Sequence, residues 1–188
     1  MREDPSPFSG VDSNVDCDMF DFAVGTAAPL VLPTGSDIIA AYLYWAGSGT
    51  NTPQQTDSQV SFGPDGDEVT VVADEVFAAL DVTDANADFF AAYAEVTELV
   101  TGNDTYRLKD LTVQTGNPWN TNGTCSGGWS LVVVYENPDE HLRVINLFHG
   151  FQPFQYSSFT LVPRNFRMAT YDENLLLPNG QVTHVTLE

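Results

Sequence analysis

Four oxygen-bearing side chains at alternate positions, Asp12, Asn14, Asp16 and Asp18, are the residues of this sequence best spaced to hold a hard cation. Calcium takes six to eight oxygen ligands, and a D-x-N-x-D-x-D run can turn every second side chain toward one point of a loop. The run then departs from an EF-hand: Cys17 stands where the loop glycine belongs and Ala23 where the bidentate glutamate belongs. Any calcium loop here must therefore be closed by Asp21 or by a distant carboxylate. The same residues also suit an acidic arm left in solvent. Asp65-Gly66-Asp67-Glu68 is a weaker candidate, because a hairpin turn wants Asp-Gly anyway, and Asp81, Asp84 and Asp88 are weaker still.

A second constellation is Asn117-Pro118-Trp119-Asn120-Thr121-Asn122. An exposed Trp119 indole offers a flat apolar face to a sugar ring, and the amides of Asn117, Asn120 and Asn122 supply donors and acceptors for hydroxyls. The alternative is an indole folded back onto a sheet. The aromatics Phe148, Phe151, Phe154, Tyr156 and Phe159 read as core before contact surface. Hydrolytic signals are poor. Ser130 lies in Gly-Trp-Ser-Leu, within a strand pattern and not in a G-x-S-x-G elbow. His141, His149 and His184 are scattered without zinc-ligand spacing. Lys109, the sole lysine and on an expected strand, could form an intramolecular amide with an Asn or Asp. No catalytic residue is assigned, and the expectation is a protein that is not an enzyme.

The elements that must position these residues are set by a chain of 188 residues with 43% hydrophobic and 12% aromatic content. At this size roughly 70% of the unfolded surface can be buried in one core. Acids outnumber bases 26 to 6, for a formal net charge of −20. Such a surface repels phosphate backbones and anionic lipids, so nucleic acid is excluded as a partner. No apolar run approaches the roughly 18 residues that span a bilayer, so membrane insertion is not expected. No apolar leader follows Met1, and the expectation is a mature segment of a longer, exported precursor. Cys17 and Cys125 sit in polar, loop-like sequence, which favours a disulfide between them and an oxidising compartment. Closing a loop of roughly 100 residues stabilises by about 4–5 kcal/mol before strain.

Residues 1–36 are punctuated by Pro5, Pro7, Gly10, Gly25, Pro29, Pro33 and Gly35 and read as an irregular arm with one or two short strands. Ile38–Gly47 is a near-continuous apolar strand, and Val60–Phe62 with Glu68–Ala73 is a hairpin. Phe77–Val82 and Asp88–Ala94 are strands, with one or two helical turns over Glu95–Thr101 and a further strand over Thr105–Thr115. Gly127–Tyr135 is the strongest strand signal. Its apolar residues at both parities predict a central strand inside two packed layers. Leu142–Phe151, Ser157–Val162, Arg167–Tyr171 and Val182–Leu187 complete a series of short strands. The reading is one all-β domain over 1–188, a β-sandwich or jelly roll with one short helix.

The landmarks Ala41–Gly47, Tyr93–Val100, Gly102–Tyr106, Gly128–Pro138 and Leu147–Gln152 occur in an order that resembles a β-rich domain of large bacterial surface and secreted proteins, placed N-terminal to tandem immunoglobulin-like repeats. The likeness covers roughly 37–175, and Gly-Trp-Ser-Leu-Val-Val-Val-Tyr is its most specific part. The chain departs from it at Glu95, before Val96-Thr97, and at His149, before Gly150-Phe151, where that family carries aspartates. The resemblance implies a place at the cell surface and a role in adhesion or surface assembly. The partner would be a glycan or another surface chain, with self-association open. The alternative is a calcium-dependent carbohydrate-binding or carbohydrate-active module.

Thermal melting tests the acidic arm. If Asp12, Asn14, Asp16 and Asp18 bind calcium, ligand at 100 times Kd adds about 2.7 kcal/mol, a rise in Tm of roughly 5–10 °C at this size, reversed by EDTA. An unchanged Tm at millimolar calcium removes the site.

Overall fold

The computed structural model describes residues 23–49, 57–79, 88–114, 119, 126–141, 143–151 and 167–168. Ten strands lie among them: β1 Thr26–Leu30, β2 Asp37–Ser48, β3 Gln59–Pro64, β4 Val69–Val72, β5 Glu75–Ala79, β6 Phe89–Glu95, β7 Asp104–Lys109, β8 Gly127–Glu136, β9 Phe148–His149 and β10 Arg167–Met168. They form two four-stranded antiparallel sheets, β1-β7-β3-β4 and β5-β6-β2-β8, and a short β9-β10 ribbon. The all-β sandwich expected from the sequence is the fold observed.

Side-chain alternation along β2 builds the core. Ala41, Leu43 and Trp45 point inward, and Leu43 is 0% exposed. They meet Phe90, Ala92 and Ala94 of β6 and, from the opposite sheet, Val60, Phe62, Val71, Tyr106 and Leu108. Phe62 stacks on Tyr106 at 5.9 Å and meets the edge of Trp129 at the same distance. The polar atoms of these aromatics are satisfied, as burial demands. Trp45 Nε1–H donates to the Asp57 carbonyl at 2.8 Å, Tyr106 O–H to the Gly102 carbonyl at 2.9 Å and Trp129 Nε1–H to Thr26 Oγ1 at 2.9 Å.

The helical turn is a short 3-10 segment, Thr97–Leu99, pinned beside an irregularity in β2 at Ile38/Ala40. Ala41 N–H donates to Thr97 Oγ1 at 3.0 Å, Val96 N–H to the Ala41 carbonyl at 2.8 Å, and Thr97 O–H to Glu95 Oε1 at 2.9 Å. Glu95-Val96-Thr97 thus serves to fasten a turn. Gly25, at φ +63°, cannot be replaced by a larger residue, since a Cβ there would lie 1.9 Å from the Leu108 carbonyl oxygen.

Three expectations are corrected. Among the described residues β8 is an edge strand, hydrogen-bonded only to β2, and the inner strands of its sheet are β2 and β6. β7 ends at Lys109, not Thr115, because Asp110 takes a positive φ of 62° and breaks the extended run. The strand expected over Leu142–Phe151 is reduced to Phe148–His149. The Ser157–Val162 and Val182–Leu187 strands, the arm before residue 23 and the Cys17–Cys125 disulfide lie outside the described residues.

Truncating the two candidate central strands separates them energetically. Leu43→Ala in the closed core is expected to cost about 3–5 kcal/mol in urea denaturation. Leu131→Ala on half-covered β8 should cost about half as much. Equal costs would contradict the assignment.

Candidate functional site

Of the ligand residues chosen from the sequence, only Trp119 lies among the described residues. Asp12, Asn14, Asp16, Asp18, Asn117, Asn120, Asn122, Cys17 and Cys125 lie outside the described residues. Trp119 corrects the sugar-platform reading, for it is only 5% exposed and its Nε1–H donates to the Asp88 carbonyl at 2.8 Å. The indole has folded back onto the sheet, the alternative left open by its loop. The segments before and after that loop, at Gln114 and Ser126, converge on Ser48, the last residue of β2. Its N–H donates to the Ser126 carbonyl at 2.8 Å, and its own carbonyl accepts from Gln114 N–H at 2.7 Å.

The Asp65–Glu68 turn is spent on cations of the protein itself. Arg107 Nε donates to Asp65 Oδ1 at 2.6 Å, and Lys109 Nζ to Glu68 Oε2 at 2.9 Å. The Lys109 ammonium, with the Gly66 N–H second, holds the Glu68 carboxyl down to about 2. The Asp65 and Glu68 carboxylates that calcium would need are already paired, and Lys109 stands in an ion pair. Among the described residues no three His, Cys, Asp or Glu side chains converge as metal ligands.

A different set of residues forms a built surface. Tyr42 and Tyr44 alternate with the core residues of β2 and so project from the outer face of β5-β6-β2-β8. Tyr93 of β6 lies opposite Tyr44 in register, and Phe77 of β5 stacks on Tyr93 at 6.2 Å. His149, delivered by β9, lies on this face and is 3% exposed. Its ring stacks on Tyr93 at 4.1 Å and on Tyr44 at 5.5 Å and meets Tyr42 at 5.5 Å. The Tyr44 hydroxyl and His149 Nδ1 share a hydrogen bond of 2.7 Å. Burial, then the neighbouring Tyr42 and Tyr93 hydroxyls, pushes the Tyr44 phenol well above its ordinary value. Burial pushes the imidazole below its own, against the opposing pull of Glu75 and then Asp74. The pair is neutral near pH 7, suited to stacking and hydrogen bonding.

Beside this cluster the face dips. Phe77, Ala91, Ala46 and Gly128 are successive cross-strand neighbours, so one row of the sheet is floored by small residues and walled at one end by a phenyl ring. The adjoining row carries Tyr93, Tyr44 and Ser130. The result is a hollow of about 400 Å³ lined by Tyr44, Ala46, Phe77, Ala91, Gly128, Ser130 and Gly150 among others. It shares Ala46 and Gly128 with a second hollow of about 380 Å³, lined also by Phe89 and Phe151. Together they make a trough with aromatic walls. Sequence reasoning missed it, although Tyr42 and Tyr44, two apart on a strand, signal a shared face. Among the described residues no helix is long and apolar enough to cross a membrane. Comparison with models of protein families, with curated proteins and with solved structures finds no match.

The lowered His149 value has a sign. The unfolded chain holds the proton more tightly, so the contribution of the neutral ring is fully present above about pH 6.5 and is lost as pH falls through that value toward the folded one. Groups facing the ring are Tyr42 and Tyr44 of β2, Tyr93 of β6, and Glu75 with Asp74 at the start of β5. Between about pH 7.5 and pH 5.5 the wild-type Tm should fall more steeply than that of His149→Phe. Identical slopes would contradict a buried neutral imidazole.

Proposed function

We propose that this chain is a non-enzymatic binding domain of a bacterial surface or secreted protein, working in adhesion or surface assembly, and that its outer trough takes a neutral saccharide. The observation that carries the reading is the small-residue floor of Ala46, Ala91 and Gly128 beside Phe77, Tyr44 and Tyr93. A flat ring can approach a floor without bulky side chains, and aromatic faces pack against its C–H bonds. Ser130 lines the same hollow, and its hydroxyl can bond sugar hydroxyls. A net charge of −20 disfavours acidic polysaccharides and nucleic acids. The extracellular placement is supported by the loop-like setting of Cys17 and Cys125 and by the resemblance of the Gly128–Tyr135 segment. The calcium-dependent alternative stays tied to the arm at Asp12–Asp18, and the calcium melt separates it from this reading.

Glycan-array screening followed by calorimetry tests the trough. The domain should bind neutral glycans, and Ala46→Leu, which fills the floor, or Phe77→Ala, which removes the wall, should each weaken binding about tenfold, equal to about 1.4 kcal/mol. Both variants should still melt cooperatively. Undiminished binding in both, or no binding to any neutral glycan, would overturn the proposal.

A further inference from the structure

The free side of β8 is a second surface, independent of the trough. Four strands end the two sheets: β1 and β4 in one, β5 and β8 in the other. Three of these edges are blunted in the usual ways. β1 carries Pro29, β4 has only four residues and follows Glu68, and β5 opens with Glu75 directly after Asp74. β8 has none of these devices. It runs for ten residues, Gly127–Glu136, with no charge, proline or bulge of its own before Glu136, and among the described residues it pairs on one side only.

We propose that β8 pairs antiparallel with β8 of a second copy of this chain about a two-fold axis through Val132, joining the two β5-β6-β2-β8 sheets into one. The occupant follows from the strand's own sequence. Centred on Val132, the pairing sets Leu131 opposite Val133, Ser130 opposite Val134, and Trp129 opposite Tyr135. Every pair keeps its face. Trp129, Leu131 and Val133 already pack toward the core, and Tyr135 shares their parity, whereas Ser130, Val132 and Val134 share the outer face. A slip of one residue would oppose inward to outward side chains. A slip of two, centred on Leu131, would set Tyr135 against Gly127 and lose the cross-strand aromatic pair. Glu136 falls opposite Gly128, so the two carboxylates sit at opposite ends of the ladder. Nothing within the ladder repels.

What opposes association is the rest of the molecule, because each copy carries a net charge of −20. That repulsion is long-range and screenable, with a Debye length of about 10 Å at 0.1 M salt and about 3 Å at 1 M. Pairing should therefore be weak in dilute buffer and should strengthen with salt, the reverse of an interface held by opposite charges.

Sedimentation of the full chain across a potassium chloride series tests this. Monomer at low salt and a doubled mass at molar salt are expected. Val132→Cys places two thiols across the dyad at a spacing that a disulfide can span. After mild oxidation at molar salt it should give a covalent dimer on a non-reducing gel. Glu136→Cys, and the parent chain with only Cys17 and Cys125, should give little. Val132→Lys, which opposes two like charges, should stay monomeric at every salt while melting cooperatively. A monomer throughout the salt series overturns the proposal. So does cross-linking of Val132→Cys no greater than that of Glu136→Cys, or cross-linking through Leu131→Cys in its place. Failure here leaves glycan binding in the trough untouched, since no trough residue is altered.

Discussion

Everything described here depends on β2 being covered on both faces and paired along both edges. Leu43 and Trp45 fill the space between the sheets, while Tyr42 and Tyr44 stand on the other face under His149. A strand in that position is paired along both edges and packed on its inner face, so its central residues are fixed by their neighbours. The core fixes the rotation of β2 about its axis, and that rotation presents the tyrosines outward. The outer surface is in this sense a by-product of core packing: side-chain alternation ties the two together, and neither can shift by one residue without exchanging faces.

How far the sequence revealed this differs by element. The Ile38–Gly47 run was legible because apolar residues at both parities mean two covered faces. The same signal in Gly127–Tyr135 was read as a central strand, and there the inference failed. Periodicity reports what lies above and below a strand, not what lies beside it. β8 has partial cover on both faces and, among the described residues, a neighbour on one edge only. Hydrogen bonding along an edge leaves no mark on the apolar pattern, so β2 and β8 look alike in one dimension. The Thr105–Thr115 pattern reads as longer than the strand it forms for a related reason. A positive φ at Asp110 ends β7, and alternation alone does not show such a break.

The site was less legible than the fold. Trp119 among asparagines has the composition of a contact loop, yet one backbone carbonyl, that of Asp88, is enough to let the indole be buried. His149 meets Tyr44 across 105 residues of sequence, and no local pattern announces a contact of that kind. The charges were half readable. An excess of acids sets the character of the surface. The pairing of Arg107 with Asp65 and of Lys109 with Glu68 shows how two of the six bases are used to hold the β3–β4 hairpin to β7.

Amide hydrogen exchange at low ionic strength, read residue by residue, tests the central role of β2 most directly. Residues paired on both edges should exchange only through global opening, so Ala41–Gly47 should be uniformly among the slowest in the protein. β8, paired on one edge, should show slow and fast amides alternating along Leu131–Tyr135. Uniformly slow exchange along β8 together with rapid exchange in β2 would contradict the account.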